Sequence, residues 1–292
     1  MKKKVNLFIV GTIKAATTSI YNYLNQSNDI YFPPIKELHF FSDVRSVIDE
    51  NTKFNPDKKQ HSRVIKTLNE YNLLYPFKDD YKYFGDCSPT YLSDVNAPFK
   101  LKKYNADAKI VIVLRHPIDR IISHYQMNLN RNVENDSFMD AIKKDLLKVN
   151  QQLFIDSKYV KLGMYGEQIE RYLKCFDRNN IFILKFEDLN QDTTSIINGL
   201  LEKIGVDSLP NATFSRKYNT YSKPIFRFMN NLKKNKLLKK IVSSKLKYLA
   251  RKVFFTSKKP QFVLSNRDRI YLENIYKNDQ ELLHSLIGYK YF

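Results

Sequence analysis

Four side chains suited to an anion follow a single glycine in the stretch VGTIKAATTSIYNYL, residues 10 to 24: Lys14, Thr17, Thr18 and Ser19. A strand that ends in a tight turn and feeds a helix leaves backbone N–H groups unpaired, and the helix dipole adds positive potential at the same end. The stretch reads either as a phosphate-holding loop or as an ordinary strand-to-helix turn capped by threonine. It departs from the nucleotide-loop spacing of Gly, four residues, Gly, Lys, Ser or Thr. Lys14 stands three after Gly11, and the second glycine is missing.

A second loaded stretch is LRHPIDRIISHY. Arg115 sits at the end of an apolar run, Ser123 lies two turns into the helix that follows, and Arg120 stands between them. An arginine fork and a helical hydroxyl together can grip a phosphate. Taken alone, Arg115 reads first as one half of a surface salt bridge, a reading that the Lys14 loop weakens.

The elements that must position these residues follow from hydrophobic period. Val5–Val10 is a short, nearly all-apolar run and Ile110–Leu114 another, as buried parallel strands require. Tyr81–Gly85 and Ile181–Phe186 are further strands. Helices are expected from Thr17, over 59–74, over Asp94–Tyr104, and over Ile118–Asn128 with Pro117 in its first turn. Others are expected over 137–148, 164–176, Thr193–Ile204 and Ser265–Ile287. Strands alternating with helices predict an α/β fold, a parallel sheet covered by helices on both faces, in one domain. Ligands in such sheets bind where strands end and helices begin, which is where Lys14 and Arg115 both fall.

Composition narrows the partners. The 292 residues carry 49 Lys+Arg against 30 Asp+Glu, a net charge of +19, which favours acidic partners such as nucleotides, anionic glycans, nucleic acid or anionic lipid. Residues 223 to 259 hold 13 of the basic residues and no acidic one, with apolar residues at helical spacing. This basic amphipathic segment reads as a solvated helical face, an anionic-acceptor site or a peripheral membrane contact. No stretch approaches the roughly 18 apolar residues that span a bilayer, and no secretory leader is evident. Cys87 and Cys175 make no disulfide framework, and no His/Cys cluster has metal-ligand spacing, so a reducing, cytoplasmic setting and a metal-free site are expected.

The order GTIKAATTSIYNYL, PPIKELHFF, GDCSPTYL, IVIVLRHPIDRIISHYQM and FILKFEDL, with LSNRDRIYLENIYKNDQELLHSLIG at the end, resembles the nucleotide-sulfate-dependent sulfotransferases. It is similar above all to the branch of the heparan sulfate N- and O-sulfotransferases and their bacterial relatives. The resemblance implies a sheet of the P-loop kinase type and 3′-phosphoadenosine 5′-phosphosulfate as donor. It implies that Lys14, Ala15, Ala16, Thr17, Thr18 and Ser19 wrap the donor's phosphosulfate, and that Arg115 and Ser123 hold its 3′-phosphate. Glu37 takes the place of the glycan branch's catalytic base, with Lys36 beside it. Arg216 and Lys217 are the nearest match to the stretch that closes over the nucleotide, although the glycine usual there is absent. Ala16 departs from the family pattern, which has glycine; if the turn needs positive φ, alanine costs about 1–2 kcal/mol.

The chemistry wants these residues. Sulfuryl transfer is an in-line displacement with charge spread over the transition state, so the protein positions groups and stabilises charge. A partly buried glutamate is a competent base near neutrality, and Lys14 with the loop N–H groups suits the departing phosphate. His39 is a competing base that would share a strand face with Glu37, or else a structural histidine. Asp86 and Ser88 are expected to orient the acceptor or Lys14. Tyr91, Tyr125 and Tyr165 are candidates to stack on sugar or adenine. The resulting expectation is sulfation of a carbohydrate hydroxyl or amine. The alternatives are a small-molecule or lipid alcohol acceptor at a membrane surface, and a non-enzymatic basic protein binding nucleic acid or other anions. No recognised nucleic-acid module supports the last.

Overall fold

The structure, a computed structural model, describes residues 3–43, 65–131, 133–147, 159–211, 214, 223–224, 255–256 and 262–292. Its centre is a parallel sheet of β1 (Leu7–Gly11), β2 (Ile30–Tyr31), β3 (Tyr83–Cys87), β4 (Lys109–Leu114) and β5 (Ile181–Lys185), in the order β2-β3-β1-β4-β5. The helices are α1 (Thr17–Leu24), α2 (Leu68–Asn72), α3 (Ala97–Tyr104), α4 (Pro117–Arg131), α5 (Phe138–Leu147), α6 (Tyr165–Cys175), α7 (Phe186–Gln191), α8 (Thr193–Lys203) and α9 (Asn266–Ile287). Two short strands, β6 (Lys223–Pro224) and β7 (Phe255–Thr256), pair antiparallel apart from the sheet.

Strand residues point alternately to the two faces, and each face is buried against helices. Phe8 and Val10 of β1 join Ile110 and Ile112 of β4 in a core with Leu101 of α3, Ile169 and Tyr172 of α6 and Leu283 of α9. Leu7 and Ile9 join Val111 and Val113 in the opposite core with Ile20 and Leu24 of α1 and Ile197 and Leu201 of α8. Each such aliphatic side chain contributes about 1.5–3 kcal/mol on burial, which explains why β1 and β4 are apolar throughout. The expected α/β sheet, covered on both faces, is the one observed.

A third cluster joins α4 and α5 to α9 through Ile118, Ile121, Tyr125, Phe138, Ile142, Leu272 and Tyr276. The buried Asp279 of α9 accepts from the N–H groups of Gly166 and Glu167, both at 3.1 Å, and so caps α6. Gly166 is required there, because a Cβ would lie 2.5 Å from the Asp279 carbonyl oxygen.

Some elements differ from expectation. The helix expected over 59–74 is the five-residue α2, closed by a Thr67/Glu70 capping box, with residues 44–64 outside those described. β2 and α7 were not anticipated. Most of the basic segment 223–259 lies outside the described residues, as do Arg216 and Lys217. Among the described residues no helix is long and apolar enough to cross a membrane.

Candidate active site

The loop after β1 is shaped by close packing and left-handed backbone. A Cβ on Gly11 would come within 2.5 Å of Leu92 Cβ, so only glycine lets the strand end pass. The Thr12 N–H donates to the Val113 carbonyl at 2.8 Å, tying the loop to β4. Lys14 and Ala16 then adopt φ of 74° and 60°. Ala16 is the N-cap of α1 and supplies no side-chain hydrogen bond, and no acidic residue stands in the first turn. Thr17, Thr18 and Ser19 are the first residues inside the helix, not its cap. The threonine-capped turn is therefore not formed, and the N-cap Ala16 puts no side-chain acceptor of its own at the positive end of α1, which suits an anion site.

Two elements close on this loop. The Lys14 ammonium lies 3.5 Å from Met127 Sδ of α4, and Ser123, one turn earlier, shares that helix face. Arg115, just past β4, donates from Nη1 to the Lys14 carbonyl at 2.9 Å, and its guanidinium lies 4.4 Å from the Phe186 ring centroid. Its own carbonyl accepts from the Tyr165 hydroxyl at 2.9 Å. Burial lowers the Arg115 pKa. Its Nε has no hydrogen-bond partner, and it makes no ion pair among the described residues. The salt-bridge reading thus fails, and a desolvated cation with an unmet donor suits a phosphate.

The third part is the turn that carries Glu37. Residues 35–41 are not a strand: Glu37 and His39 have φ of 64° and 54°. The Glu37 N–H donates to the Cys87 carbonyl at 3.1 Å, while the Cys87 thiol lies 3.6 Å from the Thr17 carbonyl. The last residue of β3 therefore touches both the start of α1 and the backbone of Glu37. Lys36 Nζ approaches Glu37 Oε1 to 2.6 Å, and His39 Nε2 lies 4.0 Å from Glu37 Oε2.

Burial sets the charge states around Glu37. It pushes His39 down to about 4 against the opposing pull of Glu37, so this imidazole is neutral at neutral pH. It also works against the Lys36 ammonium, but Cys87 and Glu37 outweigh it and the pKa is raised. Because burial pushes the Cys87 thiol up to about 12, the counter-charge that Lys36 meets at neutral pH is Glu37.

Beneath His39 lies a buried chain of polar groups. His39 Nδ1 pairs with Thr90 Oγ1 at 2.8 Å, and the His39 backbone N–H donates to Ser88 Oγ at 3.1 Å. The Ser88 hydroxyl donates to Asp86 Oδ1 at 2.7 Å, and the Tyr71 and Tyr91 hydroxyls donate to Oδ2 at 3.1 and 2.9 Å. Burial pushes the Asp86 carboxyl up to about 6 against the pull of those hydroxyls. Asp86 and Ser88 are both fully buried, so they prop His39 from below instead of facing an acceptor.

The structure brings Lys14, Thr17, Arg115 and Glu37 to one end of the sheet and buries Ala15 in the core beside α1. Tyr91, Tyr125 and Tyr165 are buried, with their hydroxyls on Asp86, the Asp136 carbonyl and the Arg115 carbonyl, and are not stacking platforms. Phe186, Met127 and Thr90 were not singled out in the sequence. Phe186 was expected as the end of a strand but opens α7, directly after β5, the strand beside the one that delivers Arg115.

The family model for the sulfotransferase domain matches residues 5–279. The chain belongs to the sulfotransferase family. Mouse heparan sulfate glucosamine 3-O-sulfotransferase 3A1 is 23% identical over 207 residues, 70% of this chain and 47% of that protein. The Xenopus laevis bifunctional heparan sulfate N-deacetylase/N-sulfotransferase 1 is 22% identical over 210 residues, 68% of this chain and 22% of that one. The chain thus spans about half or less of the length of these curated relatives. The crystal structure of a sulfotransferase from Alicyclobacillus acidocaldarius has a TM-score of 0.71 at 24% identity, covering 99% of this chain and 98% of its own. A mouse sulfotransferase, SULT7A1, complexed with PAP has a TM-score of 0.51 at 10% identity, with 97% and 90% covered. This sulfotransferase chain shares their fold.

Proposed function

We propose that this protein transfers a sulfuryl group from 3′-phosphoadenosine 5′-phosphosulfate to a hydroxyl or amine of a carbohydrate, with Glu37 as general base. The observation that carries the reading is the double contact of Cys87, which joins a carboxylate-bearing turn to the uncapped start of α1. Family membership supports the reaction class, and the relatives named for heparan sulfate support a carbohydrate acceptor.

The donor supplies an activated sulfuryl group whose leaving group is a phosphate. Arg115 and Ser123 hold the 3′-phosphate, the former through its unmet Nε and fork. Lys14 and the first-turn N–H groups of α1 take up charge on the departing phosphate. Lys36 occupies Oε1 of Glu37, which leaves Oε2 to receive the acceptor's proton. The acceptor's bond to sulfur forms as the sulfur–phosphate-oxygen bond breaks on the opposite side, and the proton remains on Glu37.

Calorimetric titration with 3′-phosphoadenosine 5′-phosphate tests the donor site. Micromolar binding by wild type, lost in Arg115→Ala and Lys14→Ala, is expected. Glu37→Gln should still bind the nucleotide yet transfer no label from radiolabelled donor. A well-folded wild type that binds no nucleotide overturns the reading.

A further inference from the structure

The opposite edge of the sheet carries a cavity that the transfer site does not use. Parallel strands all begin at one edge, and there Lys3 and Lys4 lead into β1, Lys82 into β3 and Asp107 into β4. Together with the last turn of α3 they line an open pocket of ≈ 610 Å³, within the usual range for ligand sites. Five lysines, Lys3, Lys4, Lys82, Lys102 and Lys103, line it with one carboxylate, Asp107; Lys3 also pairs with Asp79 at 2.6 Å outside the lining, and the Lys82 ammonium donates to the Gly205 carbonyl. Two of the ammonium groups are held over rings, Lys3 at 5.9 Å from the Phe84 centroid and Lys4 at 5.8 Å from that of Tyr104.

The chemistry of the lining selects among anions. All its cations are lysines, point charges on long stems, and it has no arginine fork for a single phosphate or carboxylate. Lys102 and Lys103 stand at the C-terminal end of α3, whose dipole presents carbonyls and not N–H groups, so no backbone cradle for one compact phosphate exists there. Among the described residues none of the exposed large apolar side chains lines the pocket, so the lining itself offers a lipid surface no anchor. What remains is an anion whose charges are spaced along a chain. Tyr81 adds aromatic carbon on which a sugar ring can pack.

We propose that this pocket binds an acidic oligosaccharide, bearing sulfate or carboxylate groups along its length, as a grip separate from the transfer site. The proposal rests on the reading of the acceptor as a carbohydrate.

Acetylation footprinting of the full chain tests it, with size-fractionated heparin as the probe and mass spectrometry as the readout. Bound heparin should protect Lys82, Lys102 and Lys103, while Lys203 and Lys277 keep their reactivity. The Lys4→Gln/Lys103→Gln variant should lose about five- to tenfold in heparin affinity and bind 3′-phosphoadenosine 5′-phosphate as wild type does. Heparin bound without protection at those lysines overturns the proposal. Equal protection by phosphatidylserine vesicles or by a single-stranded oligonucleotide overturns it in favour of a lipid or nucleic-acid ligand. Protection in a protein that binds no nucleotide sustains the pocket while the transfer reading falls.

Discussion

Lys36 and Glu37 are neighbours in the chain whose charged ends meet at 2.6 Å, yet Lys36 keeps 6% of its side-chain exposure and Glu37 34%. The pair thus joins a sealed cation to a carboxylate open on one side. It leaves one oxygen of Glu37 committed and the other available.

Removing the carboxylate should therefore cost stability as well as activity. Breaking a buried pair costs about 3–5 kcal/mol, and the opening of Glu37 to water reduces the expectation to about 1–3 kcal/mol. Glu37→Ala should show that loss in urea unfolding. Glu37→Gln, which keeps an acceptor for Lys36, should lose less, and both should be inactive. The pair's contribution is full below the ordinary lysine pKa and is lost as pH rises through the raised value in the folded state. A Glu37→Ala protein as stable as wild type would show that the pair is not structural.

Stability should fall on mild acidification. Burial lowers the pKa of His39 to about 4, lowers that of His124 well below the ordinary value, and lowers that of His116. Below about pH 6.5 the unfolded chain takes up protons that these folded histidines refuse, at up to about 1.4 kcal/mol per pH unit for each of the deeply buried His39 and His124 and less for the more exposed His116. Asp86, raised to about 6, acts in the opposite sense, since its contribution is lost as pH rises through that value. Melting curves from pH 7 to 5 should show a decline that His124→Gln makes shallower and Asp86→Asn makes steeper. Slopes unaffected by both substitutions would refute the assignment.

Two adjacent alanines should respond to glycine with opposite signs. Ala16 sits at φ 60°, where alanine costs about 1–2 kcal/mol, so Ala16→Gly should raise the melting temperature by a few degrees. Ala15 has no positive φ and its methyl is wholly buried, so Ala15→Gly should lower it. Shifts of the same sign in both variants would count against strain at Ala16.

Nucleotide affinity should depend on the flat face of Arg115. Arg115→Lys keeps the charge but loses the fork and the contact with Phe186, and should weaken 3′-phosphoadenosine 5′-phosphate binding about 10- to 100-fold. Phe186→Leu should weaken it about three- to tenfold by removing the ring beneath the guanidinium. Calorimetry on both decides the matter. Wild-type affinity in Phe186→Leu would mean that the ring does not position Arg115.

The ends of β1 and β4 were legible because strands buried on both faces are apolar throughout and ligands gather where they stop. That reasoning brings Lys14 and Arg115 together although they lie far apart in sequence. The Glu37 turn was not legible. Adjacent side chains on a strand point to opposite faces, so the pairing of Lys36 with Glu37 needs the left-handed backbone at Glu37. A non-glycine residue gives no sign of positive φ in its sequence. The six-residue α7 is too short to show a period, and with it went the role of Phe186. Asp86 and Ser88 were correctly placed near the strand end, but sequence does not tell a residue facing the cleft from one buried beneath it.

β3 begins beside Lys82, in the lysine-lined pocket, and ends at Cys87, beneath Glu37. Its five residues, at about 3.3 Å each, work as a ruler of about 16 Å. A chain held at one end of that ruler and sulfated at the other must exceed its length. The dependence of KM on oligosaccharide length should then break at a size fixed by a buried strand, whatever the shape of the cleft.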